Sequence, residues 1–137
     1  MSKGYSEWVK VVDNNAENGI VNLGGVRMHP LPRAEEAVIP SDKFFKYALN
    51  PSKDPDKAIA FDLALGYNIG NADILINKIK SSLNKFPAIN KGDIGYGIRY
   101  EVVMDIVGAN GKTAKVLTGW IDDVSNGEMR LTTVHID

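Results

Sequence analysis

Two Asn-Gly pairs, Asn110-Gly111 and Asn126-Gly127, divide the C-terminal part of the chain into three apolar-alternating runs. The runs are Gly97 to Val107, Lys112 to Asp123, and Glu128 to the C-terminus. Asn-Gly between such runs is a strong hairpin signal, because a two-residue type I′ turn needs positive φ at both central positions. Turn length also sets register, so the pairing predicts which side chains share a face. With two-residue turns, Met104 faces Leu117, Tyr100 faces Ile121, and Val102 lies beside Gly119 on an apolar face. The opposite face then carries Arg99, Glu101, Thr118, Trp120, Thr133 and His135, with His135 across from Thr118.

Upstream of these strands the spacing is helical. Ser41 is an N-cap for a helix from Asp42 to Leu49, stopped at Asn50-Pro51. Pro55 opens a second helix from Asp56 to Leu65, with Gly66 as its C-terminal cap and Ala58, Phe61, Ala64 and Leu65 as the buried stripe. Asn71 caps a third, Ala72 to Leu83, where Ile74, Leu75, Ile79 and Leu83 recur at helical intervals. Helices first and strands last predict an α+β domain, with the helices packed on one face of a small antiparallel meander and the other face open. Residues 1–30 read as an appendage or linker, and 31–137 as the domain. Within the appendage, Tyr5, Trp8, Val9 and Val12 have helical spacing, and the Gly24-Gly25 stretch suggests a brief strand or bulge.

The length of 137 residues suits one core. There is no cysteine, hence no disulfide, thiolate nucleophile or zinc-thiolate site. No apolar run has the length of a membrane span. Net charge is −1 from 16 basic and 17 acidic residues, whereas polyanion binders usually carry a basic excess. Any nucleic-acid contact therefore has to come from local clustering. A cofactor is not expected, since neither a strand–GxGxxG–helix context nor GxxxxGK[ST] occurs. A metal is not expected either: His29 has no second histidine at ligand spacing, and the acidic pairs Asp122-Asp123 and Glu35-Glu36 read as solvent-facing.

The predicted open face is the part with chemistry. His135 can act as acid or base near neutral pH. Glu101 is its partner base, Arg99 a cation for a phosphorane, and Thr118 or Thr133 a donor to a non-bridging oxygen. Trp120 offers a stacking surface. Lys57 opens the second helix, either as a phosphate ligand at its N-terminus or as a plain first-turn partner of Asp56. The set suits metal-independent RNA cleavage. Sheet faces also hold Thr, Glu, Arg and Trp for pairing reasons alone.

Several segments carry a resemblance. Leu31 to Ile39 (LPRAEEAVI), Lys43 with Tyr47-Ala48-Leu49-Asn50, Asp56-Lys57-Ala58 and Leu65-Gly66-Tyr67 open it. Gly97 to Val102, Gly108 to Lys112, Thr118-Gly119-Trp120-Ile121 and Arg130 to Thr133 close it. In order and spacing, over about residues 31 to 134, the chain resembles C-terminal toxin domains of polymorphic and contact-dependent inhibition systems. Several of those are tRNA nucleases with a fold like barnase, EndoU, colicin and RelE. The resemblance implies helices on a meander sheet and carries Lys57, Arg99, Glu101, Thr118, Trp120, Arg130 and Thr133 as site residues. It departs at Met129, where the family usually has proline, and at His135, where many members have an aromatic; His135 rests on the register alone.

The expectation is a bacterial toxin domain, an endoribonuclease that cleaves RNA, with tRNA as the implied substrate, by 2′-hydroxyl attack. His135, Glu101, Thr118 and Lys57 would be catalytic; Arg99, Trp120, Arg130 and Thr133 would bind substrate. The domain would belong to a secreted or delivered effector acting in the target-cell cytoplasm and neutralised by an immunity protein. The alternative is a non-catalytic binding or assembly module of a phage or secretion system using the same face. Positive potential over the His135 face favours a nuclease; an apolar or mixed face favours the module.

Overall fold

The computed structural model describes residues 21–23 and 26–137, and the helical spacing over Tyr5 to Val12 lies outside them. A small antiparallel pair comes first, β1 (Val21–Leu23) with β2 (Val26–Met28). Two α-helices follow, α1 (Pro55–Leu65) and α2 (Ala72–Ser82). The chain closes on β3 (Ala88–Asp93), β4 (Gly97–Val107), β5 (Thr113–Asp123) and β6 (Glu128–Ile136). These four make one antiparallel meander in the order β3-β4-β5-β6, so the fold is α+β.

Helix α1 begins and ends on chemistry legible in the sequence. Pro55 occupies the first turn, where its missing N–H costs nothing, and the Asp54 carboxylate accepts from the Lys57 N–H at 3.2 Å. Gly66 ends the helix at φ 72°, donating its N–H to Asp62 and Phe61. Ala58, Phe61 and Leu65 are buried, and full burial of Phe61 contributes about 1.5–3 kcal/mol. In α2, Leu75 and Ile79 are buried, as is Leu83 just beyond it, while Ile74 stays exposed. These residues share one core with Val102, Met104, Ile106, Val116, Trp120 and Val134 from alternate positions of the sheet.

The expected helix from Asp42 to Leu49 is wound differently. From Phe44 to Ala48 it is a π-turn, closed by the Leu49 N–H donating to the Phe44 carbonyl at 2.9 Å. The π-winding buries Phe44 and Ala48 and leaves Tyr47 exposed.

The three expected strands are present, and β3 is a fourth that the sequence reading missed. The β4–β5 register is one residue away from the expected one. Met104 pairs with Val116, Val102 with Thr118, and Tyr100 with Trp120. The cause is turn geometry. Gly111 and Gly127 have positive φ, whereas Arg33 is the only described non-glycine residue that does. Asn110 and Asn126 therefore cannot form the type I′ turns, and the connections are longer. The β4–β5 loop also docks on α1: the Asn110 N–H donates to the Leu65 carbonyl at 3.2 Å. A Cβ on Gly108 would lie 2.3 Å from that same oxygen. In β6 a bulge at Thr132 shifts pairing again, from Trp120–Leu131 to Gly119–Thr133. His135 consequently faces Leu117 rather than Thr118.

Candidate functional site

A one-residue slip moves every side chain of a strand to the other face. Thr118 and Trp120 are therefore inside, both with no exposed surface. The Thr118 hydroxyl donates to the Val102 carbonyl and accepts from the Trp120 indole N–H, each at 2.8 Å. That hydroxyl is fully used in satisfying a buried indole, and Trp120 has no face to offer a base. Both expected roles are corrected: these two residues belong to the core.

The remaining expected residues do share a face. Following the register, Glu101, Gly119 and Thr133 form one cross-strand row. Arg99, Ile121 and Arg130 flank it on one side, and Val103, Leu117 and His135 on the other. Gly119, at the centre, is required by the bulge, since a Cβ there would lie 2.7 Å from the Thr133 methyl. With strands about 4.8 Å apart and about 3.4 Å of rise per residue, Thr133 is about 10 Å from Glu101 and about 7 Å from His135.

Their partners differ. Glu101 is 3.9 Å from the Lys91 ammonium. Arg99 is exposed and has no ion pair among the described residues. Arg130 is committed to structure, with its guanidinium 3.3 Å from Asp123 and 3.5 Å from Glu128. Hydrogen bonds from the Ser125 hydroxyl and N–H, reinforced by Arg130, hold the Asp123 carboxyl below its usual range. The His135 Nδ1 lies 3.0 Å from the Ile136 carbonyl, so in the tautomer that donates there Nε2 is left as the working nitrogen. Lys115–Asp105 completes a face of mixed charge with half-buried Val103 and Leu117 at its centre.

Lys57 enters from the side. Its Nζ reaches the edge of β6 and donates to the Thr133 hydroxyl at 3.2 Å, joining residues 76 apart in sequence. Nearer the start of β6 the edge is covered by Val38, which exchanges backbone hydrogen bonds with Met129 and Leu131. Beyond the bulge the edge borders a cleft of about 200 Å³, lined among others by Lys43, Tyr47, Asp54, Lys57, Thr132 and Thr133. Lys57 is half-buried, yet no carboxylate among the described residues lies within ion-pair distance of its ammonium. Asp54, three residues before it, is turned to the helix backbone. Lys43 has no ion pair among the described residues either, and its Nζ stands 6.0 Å from the centre of the Tyr47 ring. Among the described residues the cleft thus gathers two cations and two threonine hydroxyls against one carboxylate, that of Asp54.

Sequence reasoning found Lys57 and Thr133 and missed Lys43, Tyr47 and Thr132. Lys43 and Tyr47 stand four residues apart, but nothing in the sequence places that turn beside β6. A larger opening, about 520 Å³, is lined by residues of the His29 to Glu35 segment with Asn84. Among the described residues, no group of three or more His, Asp or Glu is placed to hold a metal ion. No helix of the described residues is long and apolar enough to cross a membrane.

Residues 30–137 match the sequence model of the family described as Domain of unknown function (DUF6883), and the chain belongs to that family. No curated protein and no solved structure matches it.

Proposed function

We propose that this DUF6883 domain is a toxin-type endoribonuclease that seats an RNA phosphate at the Lys57–Thr133 cleft. The observation that carries the reading is a half-buried ammonium bonded to a hydroxyl, with no carboxylate among the described residues within ion-pair distance. Such a cation is favourably completed by an anion, and the adjacent hydroxyl is a second donor to the same group. In the reaction the 2′-oxygen forms a bond to phosphorus and the bond from phosphorus to the 5′-oxygen breaks. The products are a 2′,3′-cyclic phosphate and a free 5′-hydroxyl. Glu101 takes the 2′-proton, and protonated His135 delivers one from Nε2 to the leaving oxygen. Lys57 and Thr133 stabilise charge on the non-bridging oxygens, and Arg99 contacts the backbone beside Glu101. The resemblance to delivered toxin domains supports tRNA as substrate, the target-cell cytoplasm as the place of action, and an immunity protein over this face as inhibitor.

The test is incubation of purified protein with total tRNA in EDTA, followed by analysis of fragment ends. Discrete fragments ending in cyclic phosphate, lost in His135→Ala and Glu101→Gln, are the expected result. Intact RNA with folded wild-type protein overturns the reading. A second reading, a binding or assembly module, is favoured by the mixed charge and half-buried Val103 and Leu117 of the same face. It predicts that outcome.

A further inference from the structure

We infer that the cleft takes an unpaired nucleotide, with Tyr47 as the platform on which its base stacks. The inference rests on the Lys57–Thr133 seat being a phosphate site, and it concerns binding rather than cleavage. Trp120 is fully buried, whereas Tyr47 is 55% exposed and lines the same cleft as the Lys57 ammonium. An exposed aromatic ring beside a cationic seat matches the two halves of a nucleotide, a flat base and an anionic phosphate. The Lys43 ammonium, 6.0 Å from the ring centre, stands at the outer limit of a cation–π contact. It is therefore held loosely enough to turn to a phosphate when a base arrives. The π-turn is what sets this up, because it buries Phe44 and Ala48 while leaving Tyr47 at the cleft. A duplex cannot use such a platform, since its bases are stacked on one another and its phosphates alone face outward. Single-stranded nucleic acid, or an unpaired loop, is the ligand class that satisfies both halves.

The experiment measures binding of the full chain to 2′-O-methyl RNA octamers, which cannot undergo 2′-attack. The probes are one single-stranded octamer, the same octamer in duplex, and a version with an abasic position at its centre. The expected result is about tenfold or stronger preference for the intact single strand over both others. Tyr47→Ala should erase that preference, Tyr47→Phe should keep it, and Lys57→Ala should weaken all three probes. Equal binding of duplex and single strand, or a preference that survives Tyr47→Ala, overturns the inference even if the protein cleaves RNA. Selective binding without cleavage leaves the inference standing and removes the nuclease reading. Wild-type protein that binds none of the probes overturns the inference together with the phosphate seat.

Discussion

The two ends of β6 treat a cation in opposite ways. At its start, Arg130 is held by Asp123 and Glu128, Asp123 is fixed in turn by Ser125, and Val38 covers the strand edge. Past the bulge at Thr132, the Lys57 ammonium bonds to the Thr133 hydroxyl and has no ion pair among the described residues, and the edge opens on a cleft. The first end is a closed electrostatic unit that fastens a turn. The second is open, and the proposed function completes it with an anion. Position on the same strand therefore says little about role; the supply of carboxylates decides it. Arg130, expected from the sequence to bind substrate, is drawn into structure by neighbours two and seven residues away, while Lys57 is left available.

The sharpest way to break the contrast is to remove each cation in turn. Lys57→Ala should reduce RNA cleavage about 100-fold or more, the scale of losing one preorganised donor to a developing charge. Melting temperature should change little, because no carboxylate among the described residues is orphaned. The salt dependence of single-strand binding should lose about 0.7 in log–log slope. Arg130→Ala should do the reverse, lowering stability while cleavage by the folded fraction persists. If both variants lose stability and retain cleavage, the open end is merely another structural contact.

Next in size is the interior of the sheet. Thr118→Val keeps the shape of the side chain but strands the Trp120 indole N–H and removes a donor to the Val102 carbonyl. Leaving such a buried group unpaired costs about 1–3 kcal/mol. Chemical denaturation should show that loss, with cleavage per folded molecule unchanged. A catalytic role for Thr118 would instead appear as lost turnover at full stability.

Gly119→Ala tests whether the bulge places Thr133. The new methyl would meet the Thr133 methyl at 2.7 Å, so Thr133 or the bulge must shift. The expected result is about 1–2 kcal/mol of destabilisation, together with weaker single-strand binding, since Thr133 is the partner of Lys57. Binding at wild-type strength would mean that the hydroxyl does not shape the seat.

How much of this the sequence could tell depends on whether a feature is local. Strand β4 begins and ends where alternation places it, at Gly97 and Val107, and α1 is bounded by Pro55 and Gly66 as their backbone preferences require. Strand β3 escaped because it offers only Ala88 and Ile89 as apolar residues and is interrupted by a bulge near Lys91. The register departs from expectation because neither Asn-Gly pair forms a two-residue turn. Asn110 instead donates its N–H to the end of α1, a tertiary contact with no local signature. That single slip exchanged the faces of Thr118 and Trp120 with those of Leu117 and Ile121. Arg99, Glu101, Thr133 and His135 kept their common face because the bulge in β6 supplies a compensating offset. The meeting of Lys57 with Thr133, across 76 residues, has no periodic pattern behind it: Lys57 is legible as a helix N-terminus and Thr133 as a sheet face, and nothing local pairs them.

The smallest expected effect concerns the closed end and its response to acid. In the folded protein the Asp123 carboxyl titrates below its ordinary value, chiefly because the Ser125 hydroxyl and N–H bond to the ionised form, with Arg130 adding to them. A group whose folded pKa is depressed contributes stability that is complete above the unfolded value of about 3.9 and disappears as pH falls through the folded one. The contribution is therefore present at neutral pH and fades below about pH 4. Asp123→Asn removes the titration, so the variant should melt below the wild type at pH 7 and approach it near pH 3. Ser125→Ala should show the same convergence at smaller amplitude, since it deletes the hydroxyl bond and keeps the N–H. Lys57→Ala provides the contrast, as no carboxylate among the described residues pairs with that ammonium and its effect on melting should stay flat over the same range. Parallel curves for Asp123→Asn and wild type between pH 7 and pH 3 would show that the turn does not hold the carboxylate in its ionised form, and the distinction between the two ends of β6 would lose its electrostatic basis.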